Sequence, residues 1–310
     1  MCIRGNKSNK ELSLVDLQNL HSISEFADHD IVITGGEPTL CKDFVSIVNF
    51  LKGKCKSISI CTNGTTDFYI NKEFFDFQVN IQISIDGTED VHNTIRGKQS
   101  YSRIMHTISK LEEIDIPYAV SSVVNKNNRT CMKELADILG NLESLRCWNI
   151  SYEMPFGHAV INEIMTAEEW NNFVDDMLDY VNFRMKIQKM FPFELYDKNK
   201  AKLEEIFKGR RCSNCGSGQN KIYVYPDLFV YPCTCLTDFR LGNLKDSSLS
   251  QIMQTKLALS FANYSLLPES KCQKCEYLKY CNGGCIGMSY HFFKKIGLGD
   301  IRCPKLRDKI

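Results

Sequence analysis

Nine of the 15 cysteines of this chain fall between Cys212 and Cys303, and their spacing is that of metal ligands. Cys272-x2-Cys275-x5-Cys281-x3-Cys285, with Cys303-Pro304 following, supplies more thiolates than the four that one tetrahedral ion accepts. Upstream lie Cys212, Cys215, Cys233 and Cys235, so nine thiols are available, enough for two four-thiolate centres with one to spare. Pairs at x2 spacing suit zinc and iron-sulfur centres alike, because two sulfurs on one tight turn reach one centre. Spacing alone leaves structural zinc and iron-sulfur both open.

The chain of 310 residues carries 38 Lys and Arg against 37 Asp and Glu. No basic surplus is available to neutralise a nucleic-acid backbone or an anionic membrane surface, so neither is expected as a partner. No apolar run approaches the length of a spanning helix, and "MCIRGNKSNK" has no apolar signal-peptide core. The expected compartment is the cytoplasm. There thiols stay reduced, and clustered cysteines point to metal or redox chemistry rather than disulfides.

The elements that must position these thiols alternate between strand and helix. "HDIVITGGEP" is a β-branched run ending in glycines, and "DFVSIVNFLKG" sets Phe44, Ile47, Val48 and Leu51 on one helical face before Gly53. "KSISICTNG", "VNIQISIDG", "PYAVSSVVN" and "RCWNISYEMP" repeat the strand signal, separated by helices expected over 102–113 and 130–142. Five strands in βα alternation predict a parallel α/β sheet or partial barrel. Ser13 and Asp16 open the chain's first helix with a capping box, so the barrel's first strand is missing from the pattern. "TAEEWNNFVDDMLDYV" predicts a further capped helix with Trp170, Phe173, Val174, Met177, Leu178 and Val181 on one packing stripe. Three regions are expected: a barrel over 1–153, a helical connector over 154–208 and a cysteine-rich domain over 209–310.

Gly35-Gly36-Glu37-Pro38 follows its strand directly, at the carboxyl end where parallel sheets bind ligands. "CTNGT", "SIDG" and "HNTIRG" bring further polar residues to later strand ends. The Gly-Gly-Glu-Pro motif, together with the Cys-x2-Cys-x5-Cys-x3-Cys-x17-Cys array, resembles the radical S-adenosylmethionine enzymes that carry a SPASM domain. The resemblance covers essentially the whole chain. It implies a (βα)6 partial TIM-like barrel followed by a small iron-sulfur domain, with S-adenosylmethionine and [4Fe-4S] clusters as cofactors. Gly35, Gly36 and Glu37 would receive the methionyl amino group, Ser84 the ribose and Arg96 the carboxylate.

The same resemblance implies Cys272, Cys275, Cys281 and Cys303 on one auxiliary cluster, with Cys285 crossing back to join Cys212, Cys215 and Cys233 on the other. Cys235 is an extra thiol that competes with Cys215, and Leu228 stands where the family usually has Gly. The family's Cys-x3-Cys-x2-Cys motif is represented here by Cys2 alone, as if the chain began inside the motif; a chain so truncated would not generate a radical. An intact relative would cleave S-adenosylmethionine to a 5'-deoxyadenosyl radical, take hydrogen from a peptide or protein such as a ribosomal precursor, and draw electrons from a flavodoxin or ferredoxin. Thr234 stands where sulfatase-maturing members place a carboxylate. The alternative is a non-catalytic module whose cysteines hold zinc or iron-sulfur and whose barrel binds a partner peptide.

The remaining candidates have structural readings. Cys41, Cys55, Cys131 and Cys147 are expected as packing or surface thiols, Cys61 has no assigned role, and neither His92 nor His291 has a ligand pattern. Asp86 is expected to fix the turn after its strand, and Tyr223, Tyr225 and Tyr231 to mark a hairpin.

Overall fold

A computed structural model of the chain describes residues 10–24, 26–70, 75, 79–190, 198, 201 and 215–307; Cys2 and Cys212 lie outside the described residues. Two compact units are present, one built from 11–151 and 177–186, the other from the described parts of 152–176 and 187–310.

The first unit is the α/β arrangement that the strand and helix alternation predicts. Its sheet runs in the order β1 (Asp30–Ile33), β2 (Ser57–Thr62), β3 (Val79–Ser84), β4 (Tyr118–Val124), β5 (Leu145–Tyr152) and β6 (Met185–Gln188). β1 to β4 pair in parallel, with Ile33 opposite Ile60, Thr62 opposite Ile83 and Ser84 opposite Ser121. β6 falls inside the stretch read as a helical connector, and Trp148 N donates to Arg184 O across 2.9 Å beside it. Four residues with no turn residue at either side gave too short a pattern to stand out.

Burial alternates along each central strand. Ile58, Ile60, Ile81, Ile83, Val120 and Val124 are fully or almost fully buried, while Ser59, Cys61, Gln82, Ser84, Ala119 and Ser121 on the other face are half-buried. A parallel sheet covered on both faces would read as continuous apolar runs; this one has a packed face and a polar, partly open face. The helices α1 (Leu14–Ile23), α2 (Phe44–Leu51), α3 (Glu89–Arg96), α4 (Ser100–Glu113) and α5 (Met132–Leu139) belong to this unit. α2 buries Phe44, Ile47, Val48 and Leu51, the face its spacing predicts. Burying one such aliphatic side chain contributes about 1.5–3 kcal/mol. Ser13 caps α1 reciprocally: Asp16 N donates to Ser13 Oγ at 3.1 Å, and Ser13 N donates to Asp16 Oδ2 at 2.9 Å.

In the second unit Thr166 and Glu169 make the expected capping box at the start of α6 (Ala167–Tyr180), where Trp170 meets the Tyr152 ring edge-on at 5.3 Å. The tyrosine-rich hairpin forms as β7 (Tyr223–Val224) and β8 (Phe229–Tyr231), antiparallel, with β9 (Gly242–Asn243) as a third strand. Its turn closes through Leu228 N donating to Tyr225 O at 2.7 Å, with Leu228 at φ 65°. That left-handed position explains the preference for glycine there. Short helices follow: α7 (Leu249–Met253), α8 (Lys256–Ala262), α9 (Leu278–Cys281), α10 (Ile286–Phe293) and α11 (Pro304–Arg307).

Candidate metal centres and ligand rim

Parallel pairing sets the carboxyl ends of β1, β2 and β3 side by side, so Gly35-Gly36-Glu37, Thr62-Asn63 and Ser84-Ile85-Asp86 share one rim. Glu37 Oε1 accepts from Thr39 N (3.2 Å), Thr39 Oγ1 (2.6 Å) and Thr62 Oγ1 (2.7 Å), and Oε2 accepts from Asn63 N (2.6 Å). The carboxylate thereby fixes the glycine loop to the end of β2. A Cβ added to Gly35 or Gly36 would meet no atom within 4 Å. The two glycines therefore keep open space beside the main chain, which fits the close approach of a ligand such as S-adenosylmethionine.

Arg96, at the end of α3, is aimed by Asp86. The Asp86 carboxylate is fully buried, accepting from Val123 N at 2.7 Å through Oδ1 and from Arg96 Nε through Oδ2. The rest of the guanidinium, on a side chain 27% exposed, remains available at the rim. Asp86 N donates to His92 Nδ1 at 3.1 Å, and His92 is fully buried. Burial, with Arg96 nearby and Asp86 opposing, holds the imidazole at about 4, so the ring is neutral. Ser84 ends β3 half-buried beside Ser121, and on the same open face Asn149 Nδ2 donates to Gln82 Oε1 at 3.2 Å.

In the second unit, Cys272, Cys275, Cys281 and Cys303 line one cavity, with Tyr277, Asp300 and Lys305. Cys272 lies in a 3-10 turn, Lys271–Lys274, which Ser270 caps by accepting from Cys272 N at 3.2 Å, and Cys275 follows as its C-terminal cap. Cys303 arrives from the far side of the Asp300 turn, its N donating to Asp300 O at 2.9 Å. Among the described residues no three Cys, His, Asp or Glu side chains converge to hold a single ion. Four thiols lining one cavity are the number that either a four-iron cluster or one tetrahedral zinc requires. Tyr264 adds to that fit: its hydroxyl is buried without a hydrogen-bond partner, with Cys272 and Cys281 in electrostatic range, where cluster sulfur would satisfy it. Burial pushes Cys303 up to about 11 and raises Cys281, on which Asp300 and the neighbouring thiols also act, so these two thiols need a cationic centre beside them to ionise.

Cys285 does not line that cavity, and the backbone shows why. Asn282, Gly283 and Gly284 are all left-handed, at φ 45°, 77° and 73°. A Cβ on Gly283 would lie 2.5 Å from Leu266 Cδ2, and one on Gly284 2.7 Å from Asp300 Cβ. Three such residues in a row reverse the chain between Cys281 and Cys285, and only glycine fits the last two. The Cys285 N then donates to Asp300 Oδ2 at 3.1 Å, and its sulfur lies 3.5 Å from where a Gly287 Cβ would stand, against Cys235 Cβ at 3.1 Å. Cys233 and Cys235 are joined: Cys235 N donates to Cys233 Sγ at 3.4 Å, and a hydrogen bond from the Cys235 thiol lowers Cys233 to about 6 while raising Cys235. Cys215 Sγ is 3.2 Å from Ser217 Oγ.

Asp300 stands between the two groups of thiols. Its Oδ1 accepts from Arg302 N (3.0 Å) and Nε (2.9 Å), and its Oδ2 accepts from Arg302 Nη2 (2.5 Å) as well as Cys285 N. Arg302 is almost completely buried, with its guanidinium 5.0 Å from the Tyr152 ring centre and Nη2 donating to Lys189 O at 3.1 Å. Sequence reasoning missed Asp300, Arg302 and Tyr264. The one signal was that "DIRCP" places two opposite charges next to a predicted ligand.

The family profile described as the Radical SAM superfamily matches residues 3–139, and that of SPASM, an iron-sulfur cluster-binding domain, matches residues 212–276. The chain thus belongs to the radical SAM proteins with a SPASM domain, an iron-sulfur enzyme class that uses S-adenosylmethionine. It is 24% identical over 314 residues to a cysteine-type anaerobic sulfatase-maturating enzyme of Clostridium novyi (strain NT), covering 91% of this chain and 81% of that protein. It is 24% identical over 274 residues to the antilisterial bacteriocin subtilosin biosynthesis protein AlbA of Bacillus subtilis (strain 168), covering 82% of this chain and 55% of the relative, about half its length. The solved structure of native anSMEcpe with bound AdoMet superposes with a TM-score of 0.72 at 18% identity, over 98% of this chain and 88% of that one.

Proposed function

We propose that the chain is a radical SAM/SPASM oxidoreductase that, with the cluster motif represented here by Cys2 complete, acts on a peptide or protein whose residues it oxidises or cross-links. The observation that carries this reading is the cavity ringed by Cys272, Cys275, Cys281 and Cys303, from which Cys285 is turned away. A peptidic substrate is supported by the relatives' names, one maturing a sulfatase and the other making a bacteriocin. A ribosomally made precursor and an electron donor such as flavodoxin or ferredoxin are the partners proposed with it. When bound, S-adenosylmethionine and its cluster supply a 5'-deoxyadenosyl radical that takes hydrogen from the substrate.

The chain's own residues bind and orient. Gly35 and Gly36 present main chain, and Glu37 its carboxylate, to the methionyl amino group, on a loop that Glu37 also ties to the end of β2. Ser84 meets the ribose at the end of β3. Arg96, steered through Nε by Asp86, offers its remaining fork to the carboxylate. Cys2 is assigned to the radical cluster, and Cys272, Cys275, Cys281 and Cys303 to one auxiliary cluster.

Iron and zinc measured per chain after anaerobic reconstitution test the reading. About eight irons, with absorption near 400 nm from thiolate-to-iron charge transfer, support two auxiliary [4Fe-4S] centres. Zinc without iron would overturn it and leave a structural metal module.

A further inference from the structure

Five thiols, Cys212, Cys215, Cys233, Cys235 and Cys285, compete for the four places of the first auxiliary centre. Cys233 and Cys235 touch through the Cys235 N to Cys233 Sγ contact at 3.4 Å. Cys285 and Cys235 both lie next to Gly287, its Cβ position being 3.1 Å from Cys235 Cβ and 3.5 Å from Cys285 Sγ. Ser217 joins Cys215, at 3.2 Å, to Cys233, with which it also hydrogen-bonds, and Cys285 is within electrostatic range of Cys215.

The geometry points to Cys215, Cys233, Cys235 and Cys285 as the complete ligand set of the first auxiliary centre, with Cys235 filling the place that the family resemblance gives to Cys212. The inference rests on the iron-sulfur reading above. Cys233-x-Cys235 then supplies two ligands from the turn that follows β8, Cys215 one from the segment before β7, and Cys285 one from the reversed loop. The Gly287 position matters because a side chain there would push Cys235 away from Cys285.

The test compares the unaltered 310-residue chain with Cys235→Ser and Cys212→Ser, each reconstituted anaerobically, by iron content and by the electron paramagnetic resonance of the reduced clusters. The expected result is loss of about four of eight irons and of one cluster signal in Cys235→Ser, with Cys212→Ser unchanged. The other centre's four irons report that the variant has folded. Loss of a cluster in Cys212→Ser, or full iron with an unchanged spectrum in Cys235→Ser, overturns the assignment. Should Cys235→Ser bind no iron at all, Cys212→Ser still decides: full loading requires a fourth thiolate other than Cys212, and the unaltered signal identifies the intact centre. An unaltered chain that takes up zinc and no iron fails the functional reading rather than this one.

Discussion

Asp300 shows how much can hang on one side chain. It holds the buried Arg302 through three contacts and the Cys285 backbone through a fourth. Asp300→Ala strands a guanidinium in the interior, and removing one partner of a buried pair costs about 3–5 kcal/mol. Chemical denaturation of the reconstituted protein is expected to show a loss of that size, and Asp300→Asn a smaller one. His92 makes a second residue-scale prediction. An unfolded histidine takes its proton near 6.5, the folded one near 4, so between those values the unfolded chain binds more protons. Stability is complete above pH 6.5 and falls by about 1.4 kcal/mol per unit on acidification toward 4. The difference between the unaltered chain and His92→Gln isolates this term, and parallel pH profiles would refute it. Both residues were opaque in the sequence for one reason. The cysteines announce themselves by spacing, whereas Asp86, Asp300 and Arg302 act through partners that only the fold supplies, such as Val123 to Asp86 and Lys189 to Arg302.

At the scale of elements the strands and α2 were legible because one buried face imposes a period of two or of 3.6 on the sequence. β6, Met185–Gln188, was not, since four residues carry too little pattern. The hairpin shows two effects in competition. Leu228 sits at φ 65°, where a side chain costs about 1–2 kcal/mol, yet it is also buried at 6% exposure, and emptying such a site costs about 2–5 kcal/mol. Burial wins on these magnitudes, so Leu228→Gly is expected to destabilise by about 1–3 kcal/mol in urea unfolding, despite matching the family's usual residue. A more stable variant would show that backbone strain dominates.

The whole molecule divides its stability between two kinds of construction. The unit holding β1 to β4 rests on buried aliphatics such as Ile58, Ile60 and Ile83, which need no metal. The unit holding the clustered thiols has short helices and a three-stranded sheet, and its ligand binding is linked to its folding. Chelating iron is therefore expected to erase hydrogen-exchange protection over 215–307 while the amides of β2 to β4 stay protected; equal loss in both would refute the division. None of the described helices is long and apolar enough to cross a membrane. The two faces of the central sheet carry a further consequence. Ser59, Cys61, Gln82, Ser84 and Ser121 contribute little to packing, while the isoleucines behind them carry most of it. Exchanges at Ser59, Cys61, Gln82 and Ser121 leave the framework standing and alter only what that face can recognise, so a lineage built on this sheet can drift from one substrate to another without ever passing through an unfolded ancestor.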